Sequence, residues 1–262
     1  MPQPVALPRI SWGAADAPRH ALLVHGLGSS GALMWRFGVA LADAGWRATA
    51  VDLRGHGDAP RALDYTVAAY AADVAATVRS DGEPWDLVLG HSLGGAAVTT
   101  AAAGAPDWAR RLVLVDPALC MSEHDSGVIR RSQQRAFDDN RIERVREDQP
   151  HWHPQDQELK VDAVARASRW AVEQTSAQNA VWDVRAEAAR LEVPTHIIGA
   201  DPVVYSIFTG ELADEVIASN PRITMSVVSG AGHSPHRDRP EDTVAELLAA
   251  LAPEPAAAER AR

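Results

Sequence analysis

A serine between two glycines is the first residue whose surroundings suggest chemistry. Ser92 lies in the segment Gly90-His91-Ser92-Leu93-Gly94, which fits the pattern G-x-S-x-G. An apolar run precedes the segment and small residues follow it, which predicts a strand, a sharp turn and a helix that expose the hydroxyl at the sheet edge. A serine that only caps a helix would also fit the motif, but the setting favours Ser92 as a nucleophile.

A serine hydroxyl needs a base near neutral pH, and that base needs an orienting group. Of the ten histidines, His233 is the best candidate because it follows the last predicted strand in a Gly-rich loop. Asp201 and Asp116 both follow predicted strands. Asp201 gives the chain order Ser, Asp, His described for this type of site. We therefore predict Ser92, His233 and Asp201 as the triad, with Asp116 as the alternative acid.

The segment His25-Gly26-Leu27-Gly28 supplies a second Gly-rich loop after an apolar run. A tetrahedral intermediate needs two preorganised donors for its oxyanion. We predict the backbone N–H groups of Leu27 and Leu93 as these donors. A phosphate-binding loop is the alternative, but the segment matches neither G-x-G-x-x-G nor the lysine-containing P-loop.

Short apolar runs alternate with helical patterns around these motifs, which predicts parallel βα units with helices on both faces of a sheet. The predicted strands cover residues 20–24, 47–53, 85–89, 111–115, 195–199 and 223–228. The predicted helices cover residues 34–44, 66–79, 93–103, 126–148, 158–178, 211–219 and 241–251. The fold class is therefore α/β, with a doubly wound, mainly parallel sheet.

The strand pattern stops between residues 118 and 190, which is too long a stretch for a structureless loop in a compact domain. We expect a helical cap at 118–190, a core formed by 1–117 and 191–252, and a disordered tail at 253–262. From their positions, the side chains expected to line the substrate pocket are Leu119, Met121, Trp152, Trp170 and Tyr205.

Composition limits the class of partner. The 262 residues include 25 basic and 35 acidic side chains, a formal net charge of −10, which argues against nucleic acid and anionic membranes. It also mildly disfavours highly anionic substrates. Lys160 is the only lysine, a bias that indicates codon usage rather than function. We expect a cytoplasmic monomer or dimer without signal peptide or membrane span.

We predict no metal or other cofactor. His151 and His153 flank Trp152 at a spacing that could begin a metal site, but the single cysteine, Cys120, and the lack of further clustered ligands favour a loop in the cap.

Taken together, these motifs resemble the α/β-hydrolase superfamily, particularly small capped esterases and serine hydrolases that cleave C–C bonds. The resemblance covers residues 20–251 and rests on H-G-x-G at 25–28, D-x-R-G-x-G at 52–57, G-H-S-x-G-G at 90–95 and Gly-His at 232–233. It implies the α/β-hydrolase fold, with Ser92 as nucleophile, His233 as base and Asp201 as acid.

Three features depart from that pattern. Asp58 stands where many members have serine, and one residue rather than two separates Gly199 from Asp201. The short N-terminus predicts a reduced leading antiparallel hairpin. The expected reaction is hydrolysis of a carboxylic ester or lactone through an acyl-enzyme. C–C hydrolysis of a vinylogous diketone and a slow-turnover ligand receptor remain alternatives.

Overall fold

The structure is a computed structural model that describes residues 2–179 and 181–252. Its strands are β1 (Arg9–Trp12), β2 (Arg19–Val24), β3 (Trp46–Val51), β4 (Leu87–His91), β5 (Leu112–Val115), β6 (Thr195–Ala200) and β7 (Ile223–Val228). They form one sheet in the order β1-β3-β2-β4-β5-β6-β7, in which β1 is antiparallel to β3 and the other pairs are parallel. The predicted α/β class is confirmed.

Helices cover both faces of this sheet and its carboxyl end. They are α1 (Trp35–Asp43), α2 (Val67–Ala75), α3 (Leu93–Gly104), α4 (Glu123–Asp138), α5 (Ile142–Asp148), α6 (Pro154–Arg166), α7 (Arg169–Gln178), α8 (Arg185–Ala189), α9 (Gly210–Ser219), α10 (Pro235–Asp238) and α11 (Pro240–Leu251). Alternation along β2 divides the core, since Leu22 and Val24 join one apolar cluster and Ala21 and Leu23 join the other.

The N-terminal strand β1 was not predicted, because its residues are mostly exposed and carry no apolar run. Within residues 2–179 and 181–252 it is the only antiparallel strand of the sheet, so the prediction of a reduced leading hairpin is confirmed. It pairs with the outer edge of β3, far from the strands that carry Ser92 and His233.

Between β5 and β6 the chain forms α4 to α8, which we call the cap helices. The predicted helix at 126–148 is two helices, α4 and α5, and the one at 158–178 is α6 and α7. Ser168 separates the second pair because its side chain accepts the N–H of Ala171 and starts a new helix there. The tail predicted at 253–262 lies outside the described residues.

A buried carboxylate attaches the cap helices to the sheet's flanking helix. Asp156 of α6 accepts hydrogen bonds from Trp35 Nε1 at 2.7 Å and from Arg36 Nε at 2.9 Å, both in α1. Because the Asp156 side chain is fully buried, these two hydrogen bonds position α6 over the carboxyl end of the sheet. In the described part of the chain, no helix has the length and apolar character needed to cross a membrane.

Candidate active site

Ser92 occupies a strained turn between β4 and α3. Its backbone has φ 55° and ψ −118°, a conformation that L-residues rarely adopt. The turn closes because its neighbours are glycines: a Cβ on Gly90 would lie 2.5 Å from Gly94 O, and one on Gly94 would lie 2.4 Å from Val24 O. The predicted strand–turn–helix therefore requires glycine at both positions, because a Cβ at either one would clash with the backbone.

His233 joins Ser92 to a carboxylate in one hydrogen-bonded line. Its Nε2 lies 2.9 Å from Ser92 Oγ, and its Nδ1 lies 2.6 Å from Asp116 Oδ2. A neutral imidazole satisfies both contacts when Nδ1 donates to Asp116 and Nε2 accepts from the hydroxyl. This arrangement can remove the Ser92 proton and stabilise the resulting imidazolium.

The expectation that Asp201 contacts His233 is wrong in this structure. The Asp201 carboxylate instead accepts the N–H groups of Val203 at 2.9 Å and Gly230 at 2.8 Å, and these bonds lower its pKa. Asp201 thus links the turn after β6 to the loop that leads to His233. The alternative acid, Asp116, takes the position that the sequence assigned to Asp201.

Asp116 is held firmly in that position. It is fully buried, and it accepts hydrogen bonds from Ser206 Oγ at 2.6 Å and from the N–H of Ile207 at 3.2 Å. Among residues 2–179 and 181–252, Asp116 (φ 36°) and Ser92 are the only non-glycine residues with positive φ. Backbone strain of this kind concentrates at functional sites, and here both instances contact His233.

Leu27 and Leu93 both line the cavity that contains Ser92. Neither backbone N–H donates to a group in the described part of the chain. Gly26 allows this loop to approach the serine, since a Cβ there would lie 3.0 Å from Ser92 Cβ. Two free donors beside a nucleophile are the feature that an oxyanion hole requires.

Two buried histidines hold the loop at residues 25–28. His56 Nε2 accepts the N–H of Gly28 at 3.0 Å, and His25 Nε2 accepts the N–H of Leu53 at 3.0 Å. Their Nδ1 atoms lie 3.0 Å from Arg54 O and 2.7 Å from Gly26 O, as donors. Burial lowers the pKa of His25 to about 4 and that of His56 to about 3, so both are neutral at pH 7.

A second histidine pair packs behind His233. His91 Nε2 lies 2.7 Å from the carbonyl oxygen of His233, to which it donates. The rings of His91 and His236 meet edge to face with centroids 4.9 Å apart, and burial lowers the pKa of both. His91 therefore fixes the backbone of the base.

The cavity over Ser92 has a volume of about 690 Å³, a size typical of small-molecule sites. Of the side chains predicted to line it, Met121, Trp152 and Tyr205 do so. Leu119 and Trp170 do not. Leu119 is fully buried in the core, and Trp170 is 45% exposed and packs edge to face on Tyr65. The position of a residue near a strand end or in a cap helix was therefore not enough to predict whether its side chain reaches the cavity.

Two cations that the sequence reasoning missed also line this cavity, Lys160 of α6 and Arg237 of α10. The sequence identifies Lys160 only as the sole lysine of the chain and does not show that its side chain reaches the cavity. By contrast, His151 and His153 have separate partners. His151 Nε2 lies 3.1 Å from Asp238 Oδ1, whereas His153 Nδ1 accepts the N–H of Gln155 and caps α6.

Comparison with known families agrees with the fold. A family model described as "Alpha/beta hydrolase family" matches residues 21–247, and the protein belongs to that family.

Curated relatives match over part of the chain. Lipase LipV of Mycobacterium tuberculosis is 36% identical over 106 residues, which are 40% of each protein. A pimeloyl-[acyl-carrier protein] methyl ester esterase of Neisseria meningitidis serogroup B is 37% identical over 99 residues, 38% of this chain and 36% of the esterase. The match thus spans well under half of these relatives. A solved E-2-(acetamidomethylene)succinate hydrolase has a TM-score of 0.80 at 21% identity, with 94% of each chain covered, and shares the fold.

Proposed function

We propose that the protein is a serine hydrolase that cleaves a carboxylic ester or lactone through an acyl-enzyme, with Ser92, His233 and Asp116 as its triad. The observation that carries the proposal is the hydrogen-bonded line from Ser92 Oγ to His233 Nε2 and from His233 Nδ1 to Asp116. The partial matches to a lipase and a methyl ester esterase support the ester as the bond that is cleaved.

In the proposed first half-reaction, Ser92 Oγ attacks the carbonyl carbon while His233 Nε2 takes its proton. The N–H groups of Leu27 and Leu93 donate to the oxygen that gains negative charge. When the tetrahedral intermediate collapses, His233 returns the proton to the leaving alkoxide, and the acyl group stays on Ser92.

In the second half-reaction, water enters and His233 removes one of its protons as the oxygen attacks the acyl carbon. The intermediate collapses to a free carboxylic acid, and the proton passes back to Ser92 Oγ. Asp116 keeps the imidazole in the required tautomer throughout and stabilises its protonated form. A lactone follows the same steps, except that its alcohol remains attached to the acid product.

The proposal is tested by the variant Ser92→Ala together with a serine-directed fluorophosphonate. The wild type should be labelled at Ser92 and should hydrolyse p-nitrophenyl esters, and the variant should do neither while keeping its unfolding temperature. Ser126→Ala is the matched control, because Ser126 lines the same cavity but its side chain makes no hydrogen bond to Ser92 or His233, so its loss should leave labelling intact.

Undiminished ester hydrolysis by Ser92→Ala would refute the assignment. A parallel screen of vinylogous diketones separates ester from C–C hydrolysis, since both reactions use the same three side chains. Labelling without sustained product release would instead identify a slow-turnover receptor.

A further inference from the structure

Two positive side chains reach the cavity of Ser92 without a carboxylate bonded to either one. Lys160 and Arg237 both line it, and the described residues provide no ion pair for either side chain. A cation removed from water is costly unless an anion or several acceptors compensate it. The cavity therefore contains two positive side chains without a bonded anion, which favours a negatively charged ligand.

Lys160 extends from the cap to the Gly-rich loop. Its Nζ donates one hydrogen bond, to Gly28 O at 2.9 Å. An ammonium has three N–H groups, so two remain for a ligand. Burial and the nearby Arg237 lower its pKa to about 7, and no carboxylate opposes that shift.

Arg237 is only 4% exposed and is held from two sides. Its Nε donates to His236 Nε2 at 3.3 Å, and its guanidinium carbon lies 4.9 Å from the centre of the Trp152 ring. The two terminal nitrogens have no acceptor among the described residues, although they carry four N–H groups. The guanidinium thus presents a free fork of the kind that matches a carboxylate.

The nearest carboxylates are already occupied by other donors. Asp238 accepts from Trp152 Nε1 at 2.6 Å and from the N–H of Gly232 at 2.8 Å. Asp156 is bonded to Arg36 and Trp35. Both raise the pKa of Arg237 through space, but neither binds it, and burial leaves the pKa below its usual value.

Other ionisable side chains line the cavity. Besides His91, His233 and Tyr205, they are Arg135, Asp139, Arg144, Asp148, His151 and Asp238. Arg144 pairs with Asp148 at 2.8 Å, and Asp139 pairs with Arg141 at 2.6 Å, whereas Arg135 forms no ion pair among the described residues but is exposed to solvent. Lys160 and Arg237 differ from them because both are partly or fully buried and face the cavity without such a partner.

We infer that Lys160 and Arg237 form a carboxylate-binding subsite, so that the substrate is a carbonyl compound with a free carboxylate a few atoms from the scissile bond. The spacing follows from the loop. A Cβ on Gly26 would lie 3.0 Å from Ser92 Cβ, and Gly28 O accepts from Lys160 Nζ at 2.9 Å, while the Cα atoms of the two glycines are at most about 7 Å apart. Half-esters of short dicarboxylic acids have this geometry.

This inference rests on the proposed ester hydrolysis and goes against the mild expectation, from net charge, that anionic substrates are disfavoured. Local charge in the cavity outweighs the average over the surface, because a buried cation acts in a medium of lower dielectric constant than water.

The test compares monomethyl succinate with its uncharged analogue methyl 4-oxopentanoate, with methanol release as the readout. The wild type should prefer the half-ester in kcat/KM. In Lys160→Met, the ratio of half-ester to neutral ester should fall by roughly 10- to 100-fold, as expected for a lost hydrogen bond to a charged group. Arg144→Met is the matched control, since Arg144 lines the same cavity but is already paired, and it should keep the wild-type ratio.

A binding measurement keeps the inference testable apart from turnover. Succinate should bind Ser92→Ala with measurable heat, and the added change Lys160→Met should weaken that binding. If neutral esters are hydrolysed and the half-ester is not preferred, the subsite is refuted while the serine hydrolase stands. If no ester is hydrolysed, the proposed function fails, and absent succinate binding would refute the subsite as well. Inorganic phosphate that binds as tightly as succinate would overturn the assignment to carboxylates.

The pH dependence provides an independent signature. The charged groups and histidines that face Lys160 across its contacts are His25, His56 and Arg237, and of these only Arg237 is charged at pH 7. The preference for the half-ester should decline as the pH rises above about 7, because the free ammonium loses its proton there. Lys160→Met should abolish this decline, and an unchanged profile in that variant would contradict the subsite.

Discussion

Asp116 Oδ2 lies 2.6 Å from His233 Nδ1, and the Asp116 side chain is fully buried at the end of β5. Asp201, at the end of the neighbouring strand β6, faces a turn instead. The two aspartates follow adjacent strands, so the conformations of the loops decide which carboxylate reaches His233. In this protein the Asp201 oxygens accept the N–H groups of Val203, in the loop after β6, and of Gly230, in the loop after β7.

We therefore expect Asp116→Asn to lower kcat by about 10³- to 10⁴-fold, since the amide favours the wrong imidazole tautomer. Asp201→Asn should change kcat by no more than a few fold. Steady-state hydrolysis of a p-nitrophenyl ester measures both effects, and thermal unfolding checks that each variant is folded. The reverse order of effects would restore Asp201 as the acid.

Some residues of the site could be predicted from the sequence and others could not. Ser92 and His233 are identified by local motifs, because a glycine-flanked serine and a Gly-His loop impose their own geometry. Asp116 and Asp201 could not be separated that way, since each follows a parallel strand at the same edge of the sheet. The difference depends on hydrogen bonds from Ser206, Ile207 and Gly230, which are set by loop conformation.

The side-chain directions in the cap were harder to predict from the sequence than the triad residues. Leu119, Trp170 and Lys160 all come from the stretch without strands, where side-chain direction depends on contacts with distant elements. Lys160 reaches Gly28, which lies far away in the chain, and such a contact leaves no periodic trace in the sequence. Helix boundaries in the cap likewise depended on single capping residues such as Ser168.

The histidines beneath the active site should make stability depend on pH. His25 and His56 have pKa values of about 4 and about 3 in the folded protein, against an ordinary value of 6.5. The unfolded chain therefore binds more protons below pH 6.5, and the free energy of unfolding should fall as the pH drops from 6.5 toward 4. The loss should be about 1–2 kcal/mol per histidine by pH 5.

Urea unfolding at pH 7 and pH 5 measures this change. His91 and His236 shift in the same direction and add to it. His56→Gln should reduce the difference between the two pH values, because one titrating group is removed while the Gln oxygen can still accept the N–H of Gly28. The exposed His124 provides the control: His124→Gln should leave the difference unchanged. Equal effects of the two variants would contradict the argument.

The buried ion pair between Arg54 and Asp73 should contribute strongly to stability. Two hydrogen bonds of 2.6 Å join them, and both side chains are almost completely buried. Asp73→Asn leaves the guanidinium charge without its partner, and the free energy of unfolding should fall by about 3 kcal/mol. In the exposed pair of Arg169 and Asp138, Asp138→Asn should cost less than about 1 kcal/mol. Urea unfolding of the two variants at pH 7 measures the contrast, and similar losses would refute it.

The glycines of α3 offer the sharpest test of the turn that carries Ser92. A Cβ on Gly94 would lie 2.4 Å from Val24 O and 2.6 Å from His25 O, and both contacts are with backbone atoms that cannot move without shifting the sheet edge. Gly94→Ala should therefore lower the free energy of unfolding by about 3 kcal/mol and displace the serine, with a loss of fluorophosphonate labelling. Gly104, at the other end of the same helix, has nothing within 4 Å of the added Cβ. Gly104→Ala should be neutral or stabilising by up to about 1 kcal/mol, because alanine restricts the unfolded chain. If Gly94→Ala folds and is labelled as readily as Gly104→Ala, close packing of the helix against the loop after β2 does not position the nucleophile.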